Sequence, residues 1–189
     1  MNREQIFIKA ERPHAGNLLL AHPLLLDLNF RRTVILLSAH MEREGSVGVI
    51  FNRAIGQTLG EYDPDLATST LASVPLFVGG PVATDQLILV AWKWSATEGT
   101  FKLYFGIDGE KAQSIFKEDP AFQLRGFLGH AGWTEGQLDA ELNEGSWLLS
   151  GCLAALNDEP SEIDWYDLLC QKRPELGFLA NASDDPSLN

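Results

Sequence analysis

The sequence is poor in cysteine. Its 189 residues contain two, Cys152 and Cys170, with no C-x-x-C spacing. Two distant thiols cannot support a small disulfide-rich domain, and they lack the ligand spacing of a zinc site or a redox motif. We therefore expect two buried thiols in a reducing compartment.

Long hydrophobic runs are also missing. No stretch approaches the roughly 18 consecutive apolar residues that a membrane-spanning helix requires. Residues 1–5 precede a mixed segment instead of the apolar core of a signal peptide. The sequence predicts a cytoplasmic protein with no membrane partner.

Positive charge is scarce, with 14 Lys and Arg against 26 Asp and Glu, a formal net charge of −12. Residues 126–171 contain no Lys or Arg and carry nine acids. A chain this acidic repels nucleic-acid phosphates, so we expect no nucleic-acid partner. The acidic segment 135–167 is either a solubilising surface or a docking face for a basic protein partner.

The common catalytic and cofactor motifs are absent. The sequence has no G-x-G-x-x-G, no G-x-x-x-x-G-K-[ST], no G-x-S-x-G and no H-E-x-x-H. None of its four histidines lies three or four residues from another, so no pair is preorganised on a helix to bind a metal. We therefore predict no catalytic residue, no cofactor and no metal.

Short apolar segments separated by polar turns predict strands. Residues 33–38 and 46–52 are apolar and β-branched, and their short polar connection predicts a hairpin. Residues 86–94 and 100–106 predict a second hairpin. Gly48, inside a strand, indicates a bulge or a close approach of two backbones.

Three helices are predicted from their caps and apolar spacing, at residues 108–117, 135–143 and 164–171. Asp108 caps the first of them. Because the strands occur in neighbouring pairs and the helices do not alternate regularly with them, the fold class is α+β, with a largely antiparallel or mixed sheet.

One cluster combines glycine, histidine and tryptophan: residues 129–138 are Gly-His-Ala-Gly-Trp-Thr-Glu-Gly-Gln-Leu. Thr134 and Gln137 fit a capping box, which predicts a strand joined to a helix N-terminus, where backbone N–H groups attract anions. The cluster is either a small anionic-ligand site or a tight structural turn. In the second interpretation Trp133 is buried and Gly132 adopts a conformation that other residues avoid.

Four blocks of residues occur in order between positions 14 and 150. The first is Gly16-Asn17-Leu18-Leu19-Leu20-Ala21-His22-Pro23, then Asp27, Phe30 and Thr33-Val34-Ile35. The second is His40, Gly45, Gly48 and Val49-Ile50-Phe51-Asn52-Arg53. The third is Phe77-Val78-Gly79-Gly80-Pro81-Val82. The fourth is Gly129-His130-Ala131-Gly132-Trp133 through Gly136-Gln137-Leu138, then Glu141 and Trp147. Together the blocks resemble the AlgH/YqgE family of bacterial proteins.

The resemblance implies a single α+β domain, residues 1–180, whose strands curl into a pseudo-barrel with helices packed outside. A polar C-terminal tail, residues 181–189, is expected to be frayed. Leu28 departs from the family, which often has proline there, and residues 88–94 diverge as well. The resemblance implies no established reaction, cofactor or catalytic residue. One member's name links the family to transcriptional control of exopolysaccharide synthesis, which does not imply DNA binding.

Three functions follow, in order of preference. The first is a non-enzymatic regulatory or interaction protein, based on the acidic segment 135–167. The second is a small anionic-ligand binder or enzyme that uses the 129–137 strand-turn-helix. The third, disfavoured, is a direct DNA-binding transcriptional regulator. The candidate ligand or partner residues are Asn52, Arg53, His130, Gly132 and Trp133. The sequence does not predict an oligomeric state.

Overall fold

The protein's structure is a computed structural model that describes residues 12–41, 44–95, 97–151 and 165–181. Within them, nine strands form a mixed sheet accompanied by five α-helices. The strands are β1 (Leu18–Ala21), β2 (Val34–Met41), β3 (Gly45–Ile50), β4 (Ala54–Thr58), β5 (Pro75–Val78), β6 (Val82–Ser95), β7 (Thr100–Ile107), β8 (Gln123–Trp133) and β9 (Trp147–Ser150). The helices are α1 (Leu59–Tyr62), α2 (Gly109–Glu118), α3 (Gln137–Asn143), α4 (Trp165–Lys172) and α5 (Gly177–Ala180).

The sheet is mixed and open. Its strands follow the order β4-β5-β8-β3-β2-β1-β9, while β6 pairs with both β8 and β7. The pairing of β5 with β8 is parallel, and the other pairings of the described strands are antiparallel. The predicted α+β class with a mixed sheet is confirmed. The description as a pseudo-barrel is loose, because no pairing of the described strands joins β4 to β9 and the sheet is not closed.

Both predicted hairpins are present. Strands β2 and β3 pair with Leu36 opposite Val49, and strands β6 and β7 pair with Trp92 opposite Leu103. A Cβ atom added to Gly48 would lie 2.7 Å from the carbonyl oxygen of Leu36. The close backbone approach predicted at Gly48 is therefore confirmed.

Strands β3, β5 and β8 meet at a glycine crossing, formed by Gly79, Gly80 and Gly129. The Gly79 N–H donates to the Leu128 carbonyl (2.7 Å), and the Ile50 N–H donates to the Gly79 carbonyl (2.8 Å). A Cβ atom on Gly79 would lie 2.1 Å from the Gly129 oxygen, well inside contact distance. Only residues without a side chain allow these backbones to come so close.

Two of the predicted helices are where the sequence puts them. Helix α2 begins after Asp108, whose carboxylate accepts from the Lys111 N–H (2.7 Å), and it ends before Pro120. Helix α4 lies within one residue of its predicted bounds. The Asp108 cap was sufficient for α2, and the apolar spacing of Trp165, Leu168 and Leu169 was sufficient for α4.

The predicted start of α3 is wrong by two residues. The helix begins at Gln137, because Gly136 adopts a left-handed conformation (φ +70°) as its N-cap. The predicted contact between Thr134 and Gln137 is nevertheless present, since the Thr134 N–H donates to the Gln137 Oε1 (3.0 Å). Strand β4 was not predicted, because its sequence Ala-Ile-Gly-Gln-Thr has little β-branched or alternating character.

The sheet has a hydrophobic cluster on each side of its central strands. One cluster contains Trp133 and Trp147 and is covered by α3, which buries Leu138 against them. Another contains the aromatic residues of β6 and β8 and is covered by α4 through Trp165 and Leu169. A third cluster lies under α2. The helices thus cover different parts of one sheet.

Candidate functional site

Asn52 joins the end of the β2–β3 hairpin to the chain before β2. Its Oδ1 accepts from the Val34 N–H (2.8 Å), and its Nδ2 donates to the Arg32 carbonyl (3.0 Å). The amide therefore uses both of its polar atoms on backbone groups 18 and 20 residues away.

Arg53 holds the segment that we call the leucine loop, residues 23–32. Its Nη1 donates to the Asn29 carbonyl (2.7 Å), and its Nη2 donates to the Leu28 (3.3 Å) and Arg31 (3.1 Å) carbonyls. Burial, together with the charge of Arg31, lowers the pKa of Arg53. Both candidates from the second sequence block thus fix the leucine loop in place.

The other three candidates lie in β8. Successive residues of a strand point to opposite faces: Trp133 is buried beside Ala131, while His130 is half-buried and Gly132 is exposed. The predicted burial of Trp133 is confirmed. The predicted conformation of Gly132 is wrong, since its φ is not positive and a Cβ atom there would meet nothing closer than 4.0 Å. The chain reverses after Trp133, at Thr134 to Gly136.

Trp133 takes part in a clamp that attaches α3 to the sheet. The Glu141 Oε2 accepts from the indole Nε1 of Trp133 (2.8 Å) and of Trp147 (2.7 Å), and its Oε1 accepts from the Gln137 Nε2 (2.8 Å). The two indole rings stand nearly perpendicular, at 81°, with centroids 5.9 Å apart. One half-buried carboxylate therefore satisfies both indole N–H groups.

The five candidates do not converge on one point. Trp133 pairs with Ser46 at the start of β3, whereas Asn52 and Arg53 follow its other end, beyond Ile50. At about 3.3 Å per residue, Ser46 and Ile50 alone are ~13 Å apart. Their role in ligand or partner binding stays a prediction.

Arg125 is a buried cation that the sequence analysis did not identify. It is fully buried in β8, and its guanidinium carbon lies 4.0 Å and 4.4 Å from the ring centroids of Phe51 and Phe77, and 5.3 Å from that of Trp92. Its Nη1 donates to the Phe51 carbonyl (2.8 Å). Burial lowers the pKa of Arg125 to about 9. The sequence feature that could have identified Arg125 was a single arginine inside the apolar predicted strand, residues 122–128.

The leucine loop exposes three apolar side chains. Leu24, Leu26 and Leu28 are 65%, 67% and 74% exposed, and Leu25 between them is half-buried against the sheet. Leu24 and Leu28 lie in turns and Leu26 lies between them, so the loop exposes three leucines within five residues.

The acidic segment is described in part. Glu135 and Glu144, at the two ends of α3, are exposed, and Asp139 is half-buried between them. Four more acids of the segment, and Cys152, lie outside the described residues. Cys170, predicted to be buried, is a half-buried free thiol in α4.

No group of three or more His, Cys, Asp or Glu among the described residues is arranged to hold a metal ion. None of their helices combines the length and the apolar character needed to cross a bilayer.

Comparison with known proteins gives consistent results. A family model described as AlgH-like (DUF179) matches residues 18–176. The UPF0301 protein SCO2948 of Streptomyces coelicolor is 36% identical, covering 92% of this chain and 94% of the relative. The UPF0301 protein CT0663 of Chlorobaculum tepidum is 34% identical, covering 92% and 95%.

Two solved structures share the fold. The crystal structure of protein DIP2367 from Corynebacterium diphtheriae aligns with a TM-score of 0.70 at 24% identity, covering 93% of this chain and 95% of that one. The solution structure of the AlgH protein from Pseudomonas aeruginosa aligns with a TM-score of 0.63 at 27% identity, covering 94% and 100%. By sequence along most of its length, and by fold, the chain belongs to the AlgH-like family.

Proposed function

We propose that this chain is a cytoplasmic, non-enzymatic regulatory or interaction protein. It binds a basic partner protein through a surface made of the leucine loop and the acidic residues around α3. The observation that carries the proposal is a group of three exposed leucines on a loop that Asn52 and Arg53 hold in place.

The three exposed leucines have the properties of a docking surface. Large apolar side chains grouped on the surface of a soluble protein are typical of interaction sites. A mobile loop would lose conformational entropy on binding, and this loss would weaken the complex. Here three hydrogen bonds from Arg53 and one from Asn52 already restrict the loop, so binding a partner costs less conformational entropy.

The charge of the chain indicates the chemistry of the partner. The net charge is −12, and residues 126–171 contain no cation. Leu24 and Glu144 line the same cleft, so the leucine loop adjoins the acidic end of α3 at Leu24. A partner with an apolar anchor surrounded by Lys and Arg complements both parts, and its association would be weakened by salt.

The test uses a double variant, Leu26→Gln with Leu28→Gln. Wild-type protein is used to capture a partner, which is identified, purified and titrated against each variant. We expect binding to weaken about tenfold or more, as for hot-spot residues, and to weaken further with added salt. The matched control is Tyr62→Gln with Val82→Gln, two exposed apolar side chains outside the loop, which should bind as wild type does.

Three results would contradict the proposal. They are unchanged binding by the loop variant, a partner that is acidic and insensitive to salt, and turnover of a metabolite by the purified chain.

A further inference from the structure

A cleft of about 410 Å³ lies beside the leucine loop, between His22, the turn that follows α3, and the residues that follow α4. This volume suits a small molecule. The cleft is separate from the five residues that the sequence singled out. Its polar lining comes from His22, Glu144, Ser146 and Arg173.

The end of α3 places Glu144 at the cleft. Gly145 takes a positive φ of +80° and donates to the Leu142 carbonyl (3.1 Å), and Ser146 donates to the Glu141 carbonyl (2.9 Å). This pair of bonds closes the helix with a left-handed glycine. The chain then enters β9, which leaves Glu144 exposed on the last turn.

His22 is held as a hydrogen-bond donor. Its backbone N–H donates to the Ser146 carbonyl (2.9 Å), and its ring Nδ1 accepts from the Leu24 N–H (3.2 Å). A neutral imidazole that accepts at Nδ1 carries its proton on Nε2. Burial, and secondly the charge of Arg173, lower the pKa of His22, which favours the neutral ring.

Arg173 and Glu144 bring opposite charges to one cleft without pairing to each other. The Arg173 Nε forms an ion pair with the Glu175 carboxylate, which orients the guanidinium. Among the described ion pairs, none joins Arg173 to Glu144. The cleft therefore offers the guanidinium of Arg173, ion-paired to Glu175, and the carboxylate of Glu144 as two separate recognition points.

The remaining walls are hydrocarbon. Four leucines also line the cleft: Leu24, Leu25, Leu148 and Leu176. An apolar side chain of a ligand would be removed from water against them.

We propose that this cleft binds a free apolar α-amino acid. The ligand carboxylate accepts from the Arg173 guanidinium and from the His22 Nε2–H. The ligand ammonium donates to the Glu144 carboxylate, and the apolar side chain packs on the leucines. Charge-assisted bonds at both ends select a zwitterion over a simple acid or amine.

The test compares three ligands of one shape on the full chain. L-Leucine has both charges, 4-methylpentanoate lacks the ammonium, and 3-methylbutylamine lacks the carboxylate. Titration calorimetry should show leucine binding about tenfold or more tighter than either analogue, since each loses a charged hydrogen bond.

Two variants test which residue binds each charged group of the ligand. In Arg173→Gln, leucine should bind no more tightly than 3-methylbutylamine, which lacks the carboxylate. In Glu144→Gln, leucine should bind no more tightly than 4-methylpentanoate, which lacks the ammonium. Glu110→Gln and Lys117→Gln, exposed charges on α2 outside the cleft, should leave leucine affinity within about twofold of wild type. Near-UV circular dichroism establishes that each variant keeps the fold.

Equal affinity for the three ligands would overturn the proposal, as would leucine binding unchanged in both cleft variants. The proposal would also be overturned if no saturable leucine binding were seen up to about 10 mM, because any affinity would then be weaker than that of weak millimolar ligands.

Discussion

Arg125 has an unusual environment for a charged side chain. Its guanidinium lies among Phe51, Phe77 and Trp92 inside the core. A planar, weakly hydrated guanidinium can stack on aromatic faces, whereas a compact ammonium retains a stronger demand for water. The stabilising contribution of Arg125 therefore depends on the planar shape of its guanidinium as well as on its charge.

We expect Arg125→Lys to lower the free energy of unfolding by about 2 kcal/mol or more, the scale of a desolvated cation–π contact. Chemical denaturation measures it. Arg31→Lys, an exposed exchange of the same kind, should change stability by less than about 0.5 kcal/mol. Equal effects at the two sites would show that the aromatic stacking contributes nothing.

Trp133 contributes to stability in two ways, by burial and by its bond to Glu141. We expect Trp133→Ala to cost about 3–5 kcal/mol, the range for large-to-small changes in a core. Thermal or chemical unfolding measures the loss. Phe178→Ala, which removes an 87% exposed ring, should cost little. Wild-type stability in the Trp133 variant would contradict its structural role.

Single residues were the hardest feature to predict from the sequence. Arg53 was selected as a charged ligand candidate, but its contacts are carbonyls 22 to 25 residues earlier in the chain. Arg125 bonds to Phe51, 74 residues away. Local sequence patterns indicate which residues of an element are buried and where the element is capped. They contain no information about contacts with residues so distant in the chain.

At the scale of elements, the glycine crossing sets how β3, β5 and β8 meet. Gly79 is positioned between the carbonyls and N–H groups of two neighbouring strands. Any side chain there must push the Gly129 backbone away, because its Cβ atom would lie 2.1 Å from that oxygen.

We expect Gly79→Ala to destabilise the fold by about 1–3 kcal/mol or more, as for overpacking. Gly132→Ala is the matched control, since Gly132 lies in the same sheet, has no positive φ, and its added Cβ atom would meet no heavy atom closer than 4.0 Å. Chemical denaturation of both variants tests this. Equal stability of the two would show that the crossing relaxes without cost.

The elements themselves were largely predictable. Hairpins β2–β3 and β6–β7 have apolar, β-branched strands and short polar connections, so their period is visible in the sequence. Helix α3 starts late because Gly136 takes a left-handed conformation, a choice that the Thr134–Gln137 signal does not report. The order of strands across the sheet depends on non-local pairing, and the sequence alone did not specify it.

At the scale of the whole molecule, negative charge dominates the surface. Two of the arginines are engaged within the protein: Arg125 is buried, and Arg53 donates to three backbone carbonyls. Arg31 and Arg32 are exposed, and Arg43 lies outside the described residues.

We expect no specific DNA binding, and no appreciable nonspecific binding at physiological salt. Phosphate neutralisation commonly draws on about 6–10 contacts, more than these arginines supply. Fluorescence anisotropy with a labelled duplex tests this, first at about 50 mM salt, where electrostatic binding is strongest. Micromolar binding that weakens steeply with salt would contradict the expectation and support a direct regulator.

The clamp of Trp133, Glu141 and Trp147 also has an optical consequence. Two indole chromophores whose centroids are 5.9 Å apart, and whose rings are nearly perpendicular, couple their electronic transitions. Their circular dichroism in the near ultraviolet then depends on the mutual orientation of the rings, which the Glu141 carboxylate fixes from α3. The protein thus carries a built-in spectroscopic reporter of whether α3 is docked on the sheet.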